Sequence, residues 1–427
     1  MSKLFPGGVN SAIQFFPPYP VIVERGLGSR LWDVDGNEYI DYVMSYGAMT
    51  AGHRNPKIAD AIIKVVKEYG TLLGAPSPHP GELAKEIRSR IPDMEMIRFT
   101  NSGGEATMYA LRVARGVTGR KKIVKMEGAY HGAHDYLLIS DKPPHISLLG
   151  PYESPKPVPD SLGTPEEIVN LTITVHFNDI DSMEKVFRKQ GGEIAGVITE
   201  AVQTNMGVIE PRDGYLKELR RLCDEYGALL IIDEVKSGFN ASRSAAYLDY
   251  GIRPDLVTLG KVVGGGTPLA AFGGREEYMQ QITPVGKIVH YGTYNANPLS
   301  VAAGLAALRE VYTEETQGRM FRLNEKLFKG VVDAFEDTKT TAALIRKGNM
   351  GAIYFGLDEL PKNYREAAKS DANMWYRYWI SMINHGIIPY GGAWFEEWFV
   401  SAMHTEEDID KTIHTYYDVL KEIKETR

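Results

Sequence analysis

The chain has 427 residues, of which 43% are hydrophobic and 24% are charged, and this composition and length predict a globular protein of two or three domains. The net charge of −7 excludes an electrostatic case for a nucleic-acid partner. The single cysteine, Cys223, excludes an intrachain disulfide and a cysteine-based metal cluster, and no metal site is expected. No apolar stretch reaches the roughly 18 residues of a membrane span, and no signal-peptide pattern is present, so a cytoplasmic location without a membrane partner is expected.

The N-terminal region is predicted to form paired strands. Three runs rich in β-branched and aromatic residues lie at 21–24, 31–34 and 39–42. An Asp-Gly pair, Asp35 and Gly36, separates the second run from the third and predicts a hairpin turn. We expect residues 1–50 to join residues 306–427 in a small α+β domain.

The middle of the chain alternates between helical and strand patterns. Amphipathic helices are predicted at 56–69 and 105–115. Apolar runs without polar alternation, which are typical of parallel strands buried on both faces, occur at 122–125, 194–199, 228–232 and 256–259. These patterns predict a large α/β domain over residues 51–305, with a mostly parallel sheet between helices. The stretch 143–165 has no periodicity, and a loop of this length inside a compact domain is expected to be a lid or to be disordered.

Two of the buried runs are followed by residues whose side chains could take part in catalysis. Asp233 follows the run at 228–232, and Lys261 follows the run at 256–259 and precedes a Gly-rich turn. An ammonium at such a position is hard to solvate, and a lysine there can form a Schiff base with an aldehyde. In open α/β sheets, ligands bind at the carboxyl ends of the strands. The acid and the lysine together suggest a site for pyridoxal phosphate, in which Asp233 would pair with the pyridinium nitrogen.

Two further segments suit the same ligand. Ser102, Gly103 and Gly104 precede a predicted helix, whose exposed amides and dipole favour a phosphate. Tyr130 follows the run at 122–125 and could stack on a flat ring, while Val235 could press on the opposite face. Each signal is weak alone, because a plain helix cap or a packed aromatic residue explains it as well. Their joint occurrence at strand ends is the stronger indication.

Together, these motifs match those of a known protein family. The chain resembles the class III, fold type I, pyridoxal-phosphate-dependent aminotransferases along nearly its whole length, and most of all their glutamate-1-semialdehyde 2,1-aminomutase branch. The segments that carry the resemblance are PGGVNS from residue 6, LWDVDG from 31, NSGGEAT from 101, YHG from 130, DEV from 233, LGK from 259, AFGGR from 271 and HTEEDI from 404.

The resemblance implies a role for each matched residue. Lys261 would carry the cofactor as a Schiff base and move the proton, and Asp233 would hold the pyridine nitrogen. It also implies a mobile lid at 143–165 and a homodimer with shared active sites, in which Thr293 reaches the phosphate of the other subunit. The remaining cofactor contacts would be Ser102, Gly103 and Gly104 at the phosphate, Tyr130 and Val235 on the ring faces and Asn205 near the phenolic oxygen.

Departures from the branch concern the substrate side. Gln14 stands where the aminomutases have an arginine, and a glutamine offers no charged fork to a carboxylate, a loss of about 1.5–3 kcal/mol per charge-assisted bond. The other residues expected at the substrate are Ser11, Tyr46 and Glu396. Lys236 stands where the branch has an uncharged residue, and a solvated side chain is expected there. Five aromatic residues are expected either to make the substrate side aromatic and apolar or to pack in the core of the small domain: Phe15, Phe16, Tyr46, Trp394 and Trp398.

Three functions remain open from the sequence. The first is an intermolecular aminotransferase that moves an amino group from an amine or amino acid, with a β-, D- or aryl-bearing donor favoured, to a keto acid or aldehyde. The second is glutamate-1-semialdehyde 2,1-aminomutase itself, in which another cation replaces the lost arginine, or a racemase or epimerase on the same scaffold. The third is a non-catalytic binding protein, which the retention of Lys261 and Asp233 makes the weakest hypothesis.

Overall fold

The computed structural model of the chain describes residues 3–16, 20–142, 145–390 and 397–425. The strands are β1 (Val23–Leu27), β2 (Arg30–Asp33), β3 (Glu38–Asp41), β4 (Met96–Thr100), β5 (Lys122–Met126), β6 (Thr172–Val175), β7 (Ile194–Thr199), β8 (Leu229–Asp233), β9 (Leu256–Leu259), β10 (Ala270–Gly274), β11 (Ala342–Lys347), β12 (Met350–Phe355), β13 (Ile387–Ile388) and β14 (Glu397–Phe399).

The α-helices are α1 (Met44–Gly47), α2 (Pro56–Glu68), α3 (His79–Arg90), α4 (Gly103–Thr118), α5 (Glu166–Val169), α6 (Ile180–Gln190), α7 (Tyr215–Tyr226), α8 (Glu276–Met279), α9 (Pro298–Ala306), α10 (Glu314–Asp337), α11 (Tyr364–Ala367), α12 (Ala372–Asn384) and α13 (Glu406–Glu425). Within the described ranges, none of these helices is long and apolar enough to cross a membrane.

The central sheet has seven strands in the order β4-β10-β9-β8-β7-β5-β6. Strand β10 is antiparallel to both of its neighbours, and the other strand pairs of this sheet are parallel. Every residue of β7, β8 and β9 is buried, because helices cover both faces of the sheet and leave no polar face to alternate with. The predicted α/β class with a mostly parallel sheet is confirmed, and its antiparallel member is β10.

Two smaller sheets lie outside the central one. The hairpin predicted at residues 35–37 joins β2 to β3, and the Asp33 carboxylate accepts bonds from the backbone N–H groups of Asp35 and Asn37, at 3.0 and 2.8 Å. Strand β3 also pairs in parallel with β13, so both ends of the chain contribute to one sheet, in the order β1-β2-β3-β13. The third sheet has the order β11-β12-β14. The domain boundaries near residues 50 and 305 stay a prediction.

The parallel strands bring several chain segments to one edge of the central sheet. Strand β8 ends at Asp233, β9 ends two residues before Lys261, β5 ends shortly before Tyr130, and β4 ends shortly before Ser102. The carboxyl ends of parallel strands share an edge, so these four side chains meet there although they are far apart in sequence.

Candidate active site

A cavity of about 480 Å³ lies at this edge of the sheet. Eight of the nine residues predicted to hold a cofactor line it together, and their individual roles stay predictions. The lining residues are Ser102, Gly103, Gly104, Glu105, Met108, Tyr130, His131, Gly132, Ala133, His134, Glu200, Asn205, Asp233, Val235, Lys236 and Lys261.

The N-terminus of α4 forms one end of the cavity. The Ser102 hydroxyl accepts a bond from the backbone N–H of Glu105 at 3.2 Å and so caps this 16-residue helix. A Cβ atom on Gly103 would lie 2.7 Å from Cγ1 of Val235, so only glycine fits there. Gly103 and Gly104 have no side chain of their own beside their backbone N–H groups, so this helix start is a suitable cradle for a phosphate.

The Asp233 carboxylate is fixed from both sides. Its Oδ1 atom accepts bonds from the backbone N–H of Val235 and from the Thr258 hydroxyl, each at 2.9 Å. Its Oδ2 atom lies 2.7 Å from Nδ1 of His131, which is buried. No functional role was predicted for His131 from the sequence, whereas the structure places its ring in direct contact with the predicted catalytic acid. The adjacent Tyr130 in the YHG motif was the signal that could have placed it.

Lys261 stands in a strained backbone conformation. Its φ of 49° lies in the left-handed region, which is uncommon for residues other than glycine, at the start of the short 3₁₀ turn Lys261–Gly264. Such conformations persist only where the surroundings impose them, and they cluster at functional positions. Gly260 and Val235 pack closely here, since a Cβ on Gly260 would lie 3.1 Å from Cγ1 of Val235.

The side wall of the cavity contains a buried carboxyl group that the sequence did not single out as functional. Burial raises the pKa of Glu200 to about 8, and the nearby Asp233 charge acts in the same direction. The Asn205 side-chain amide donates to Glu200 Oε2 and to the carbonyl oxygen of Tyr130, each at 3.3 Å. Burial also raises the pKa of the Tyr130 phenol. The wall therefore joins Asn205, Tyr130 and Glu200 through hydrogen bonds.

The expectation of a solvated Lys236 is wrong. Only 4% of this residue is exposed, it lines the cavity, and its ammonium forms an ion pair with the buried Glu397 of β14. The sequence could not reveal this contact because 161 positions separate the two residues (397 − 236).

Other predicted site residues lie elsewhere. Thr293 is exposed and does not line the cavity, and Ser11 is exposed in the N-terminal segment. Gln14 and Tyr46 line a second cavity, next to α12, and the Tyr46 hydroxyl donates to the Ile13 carbonyl at 2.5 Å. The structure therefore does not bring these predicted substrate residues together with Lys261. Glu396, like Trp394, lies outside the described residues.

The described members of the predicted aromatic set do not line the cavity that contains Lys261. Trp398 is fully buried, and its indole N–H donates to the Asn324 side chain at 2.8 Å, so it belongs to the packed core. Phe16 packs against Trp379 with ring centroids 4.9 Å apart, beside the second cavity. Neither ring lines the cavity that contains Lys261.

The loop predicted to be a lid is anchored at its base. Arg365 of α11 donates through Nε and Nη2 to the Glu127 carboxylate, each at 2.9 Å, and through Nη1 to the Gly150 carbonyl at 2.9 Å. Tyr152 stacks on His176, with ring centroids 3.9 Å apart. Residues 143 and 144 lie outside the described residues, and lid closure stays a prediction.

The cavity fits pyridoxal phosphate. The N-terminus of α4 suits the phosphate, the fixed Asp233 carboxylate suits a protonated pyridine nitrogen, and Lys261 supplies an amine. Tyr130 and Val235 are available for the two faces of the ring. No other feature of the cavity is needed to accommodate this cofactor.

Comparisons with known proteins agree with this fit. The family model described as "Aminotransferase class-III" matches residues 15–375. The chain is 43% identical over 425 residues to the glutamate-1-semialdehyde 2,1-aminomutase of Bacillus subtilis (strain 168), covering 99% of this chain and 96% of that protein.

Two solved structures are also similar. The omega-transaminase of Sphaerobacter thermophilus has a TM-score of 0.91 at 29% identity, with 99% of this chain and 96% of that chain covered. A glutamate-1-semialdehyde-aminomutase from Pseudomonas aeruginosa PAO1 has a TM-score of 0.85 at 26% identity, with 96% and 90% covered.

Proposed function

Because the chain belongs to the class-III aminotransferase family, we propose that it is an aminomutase that moves the amino group of glutamate 1-semialdehyde from carbon 2 to carbon 1, giving 5-aminolevulinate. The observation that supports this most is the 43% identity to such an enzyme over 99% of the chain. The comparison thus favours the second hypothesis from the sequence over the intermolecular transfer that came first.

Pyridoxal phosphate is the cofactor of this family, and when bound it supplies an electron sink for bonds broken at the amine-bearing carbon. In our proposal Asp233 maintains the positive charge of the ring nitrogen, because its carboxylate is held in place by His131 and Thr258. The first turn of α4 binds the phosphate through its backbone N–H groups.

The proposed role of Lys261 is to move protons. Its Nζ atom would take a proton from the substrate carbon that carries the amino group and deliver it again after the nitrogen has moved. One base can serve both steps because a flexible lysine side chain reaches neighbouring carbons of a short substrate. The surrounding wall of Tyr130, Asn205 and Glu200 would limit access of water to these steps.

A second candidate is an intermolecular aminotransferase, and one sequence feature favours it. Gln14 replaces the arginine of the aminomutases, which weakens the case for a substrate that carries a carboxylate at that position. The structural similarity to an omega-transaminase is compatible with this candidate. Both candidates use the same residues around the cofactor and differ in whether a separate amino acceptor is needed.

We also propose that the enzyme is a homodimer, in which Thr293 of each chain serves the partner's cavity. The supporting observation is that Thr293 is exposed and stands between two exposed tyrosines, Tyr291 and Tyr294, which are 74% and 60% exposed. The expected partners are small amino donors and keto acceptors, and a cytoplasmic location remains an expectation.

Turnover without a second substrate tests the main proposal. The purified cofactor-loaded enzyme is mixed with glutamate 1-semialdehyde and no keto acid, and formation of 5-aminolevulinate is followed over many turnovers. The aminomutase proposal expects sustained formation. A single stoichiometric conversion of the cofactor, followed by turnover only after a keto acid is added, would instead establish the aminotransferase.

A further inference from the structure

Lys236 is a buried cation in the wall of the active-site cavity. It follows Val235 directly, it lines the same cavity as Lys261, and its ammonium pairs with Glu397. Lys236 and Glu397 are only 4% and 2% exposed. Removing two charges from water is costly, and a packed apolar pair often serves stability as well. A stability role alone therefore explains this pair poorly.

The ammonium has capacity for a second partner. A lysine ammonium carries three N–H donors, and the ion pair with Glu397 needs only one of them. The charge of Lys236 also acts on Glu200, where it opposes the rise in pKa that burial and the Asp233 charge produce. Lys236 therefore lies within electrostatic reach of the wall that joins Glu200 to Asn205 and Tyr130.

The other lysine and histidine side chains of the cavity are not available for a substrate carboxylate. Among the described residues that line it, the lysines and histidines are Lys236, Lys261, His131 and His134. Lys261 is assigned to the cofactor, and His131 contacts Asp233 at 2.7 Å. Burial lowers the pKa of His134 to about 4, so this ring is neutral near pH 7. Lys236 is the lining cation that remains for a substrate carboxylate.

We propose that Lys236 binds the carboxylate of the substrate and makes the enzyme select donors that carry one, in place of the arginine that Gln14 replaces. This inference rests on the proposed amino-group chemistry, but it holds for the aminomutase and the aminotransferase alike. Glu397 is the counter-ion of Lys236 within the protein. The substrate carboxylate then uses a free N–H donor of the ammonium, which remains paired with Glu397.

The test compares an acid with its own methyl ester, so that only the charge changes. The probes are 5-aminolevulinate and its methyl ester, and β-alanine and its methyl ester, each mixed with the cofactor-loaded enzyme without acceptor. Loss of the visible absorbance of the cofactor gives the rate and the apparent dissociation constant for each probe. The variants are K236M, K236R and, as the matched change of the partner, E397Q.

For K236M we expect the apparent dissociation constant of the acids to rise roughly 10- to 150-fold, the range for one charge-assisted bond. The esters should change less than about threefold, because they offer no charge to Lys236. K236R should restore most of the preference for acids. E397Q should leave acid binding unchanged or stronger, because it removes the competing carboxylate and leaves the ammonium to the substrate.

The proposal would be overturned if K236M weakened the binding of acid and ester equally. It would also be overturned if K236M and E397Q weakened acid binding equally. Either result would indicate that the ion pair is purely structural. A wild-type enzyme that binds esters as tightly as acids would also overturn it. The proposed mutase function fails separately, if the β-alanine pair reacts and 5-aminolevulinate does not. Cofactor absorbance and melting temperature show whether each variant is folded.

Discussion

Nδ1 of His131 lies 2.7 Å from Oδ2 of Asp233, and both residues are buried at the base of the cavity. The imidazole donates its Nδ1 proton to the carboxylate, while Val235 and Thr258 donate to the other oxygen. Three donors from three chain segments therefore fix one acid at the end of β8. An acid held in this way keeps its orientation beside a bound ring.

Replacement of this acid is the first prediction. D233N should lower kcat by about 100- to 1000-fold, the range seen when one electrostatic group is removed from an active site. The fold should survive, because asparagine retains the size of the side chain. Steady-state kinetics of the cofactor-loaded variant measure the effect, with T258V as a control that removes one donor and keeps the acid. A kcat for D233N within threefold of wild type would disprove this role.

The close approach of two turns gives the second prediction. Gly132 has a φ of 105°, and a Cβ atom there would lie 2.4 Å from Cα of Gly104. Gly36 has a φ of 88° with nothing within 4 Å of the same position. G36A should therefore lower the free energy of unfolding only by the strain of a left-handed residue that carries a Cβ, about 1–2 kcal/mol. G132A should lower the free energy of unfolding by more than G36A does. It should also weaken cofactor binding, because the new Cβ atom displaces the turn that starts at Ser102.

Unfolding midpoints and cofactor titration measure this pair of variants. Equal destabilisation of G132A and G36A, with unchanged cofactor affinity in G132A, would show that the two turns tolerate separation.

The sequence predicted four of the seven strands of the central sheet, β5, β7, β8 and β9, because these strands have a local signal. Buried parallel strands have apolar runs such as that ending at Asp233, and the hairpin has an Asp-Gly pair at Asp35. Residues that follow strand ends could be placed at one sheet edge by a general rule. This is why Asp233, Lys261 and Tyr130 were placed in one site from the sequence alone.

Contacts between distant segments had no such signal. The pairing of Lys236 with Glu397 and that of Arg365 with Glu127 depend on how separate elements pack, and composition does not encode this. The family resemblance placed Gln14 and Tyr46 at the substrate. For the same reason this placement was not secure, and both residues line a different cavity. His131 was not predicted as a site residue because a single histidine after a strand is a weak signal, and only its place in the YHG motif beside Tyr130 could have indicated the site.

The contacts of Arg365 with the loop predicted at 143–165 give the third prediction. Arg365 binds the buried Glu127 carboxylate with two N–H donors of its guanidinium group. R365M removes both donors from a buried charge and should therefore lower the free energy of unfolding by about 3–5 kcal/mol. The exposed pair of Arg188 and Glu184 is the matched control, and R188M should change stability by less than about 1 kcal/mol.

Hydrogen exchange adds a local measurement for R365M. Amides near Leu149 and Gly150 should exchange faster, because Arg365 donates to both carbonyls. Unchanged exchange there would mean that other contacts hold the loop.

Glu200 gives a prediction about pH. Burial raises its pKa from an ordinary value of 4.5 to about 8. Between these two pH values the native protein retains a proton that the unfolded chain has lost, so this residue makes stability fall as pH rises. E200Q lacks the effect. The free energy of unfolding of wild type relative to E200Q should therefore decrease by a few kcal/mol between pH 5 and about pH 8.

Denaturant unfolding of both proteins at several pH values measures this difference. A difference that is constant across the window would show that the Glu200 carboxyl titrates at its ordinary pKa.

The central claim is that Lys261 is the residue that holds pyridoxal phosphate in this cavity. The direct measurement is borohydride reduction of the cofactor-loaded enzyme, followed by proteolysis and mass spectrometry of the labelled peptide. We predict the added cofactor mass on Lys261, with Lys236 and the buried Lys125 unlabelled, and no label in K261A. Label on Lys236, or an enzyme that binds the cofactor and carries no label on Lys261, would contradict the account.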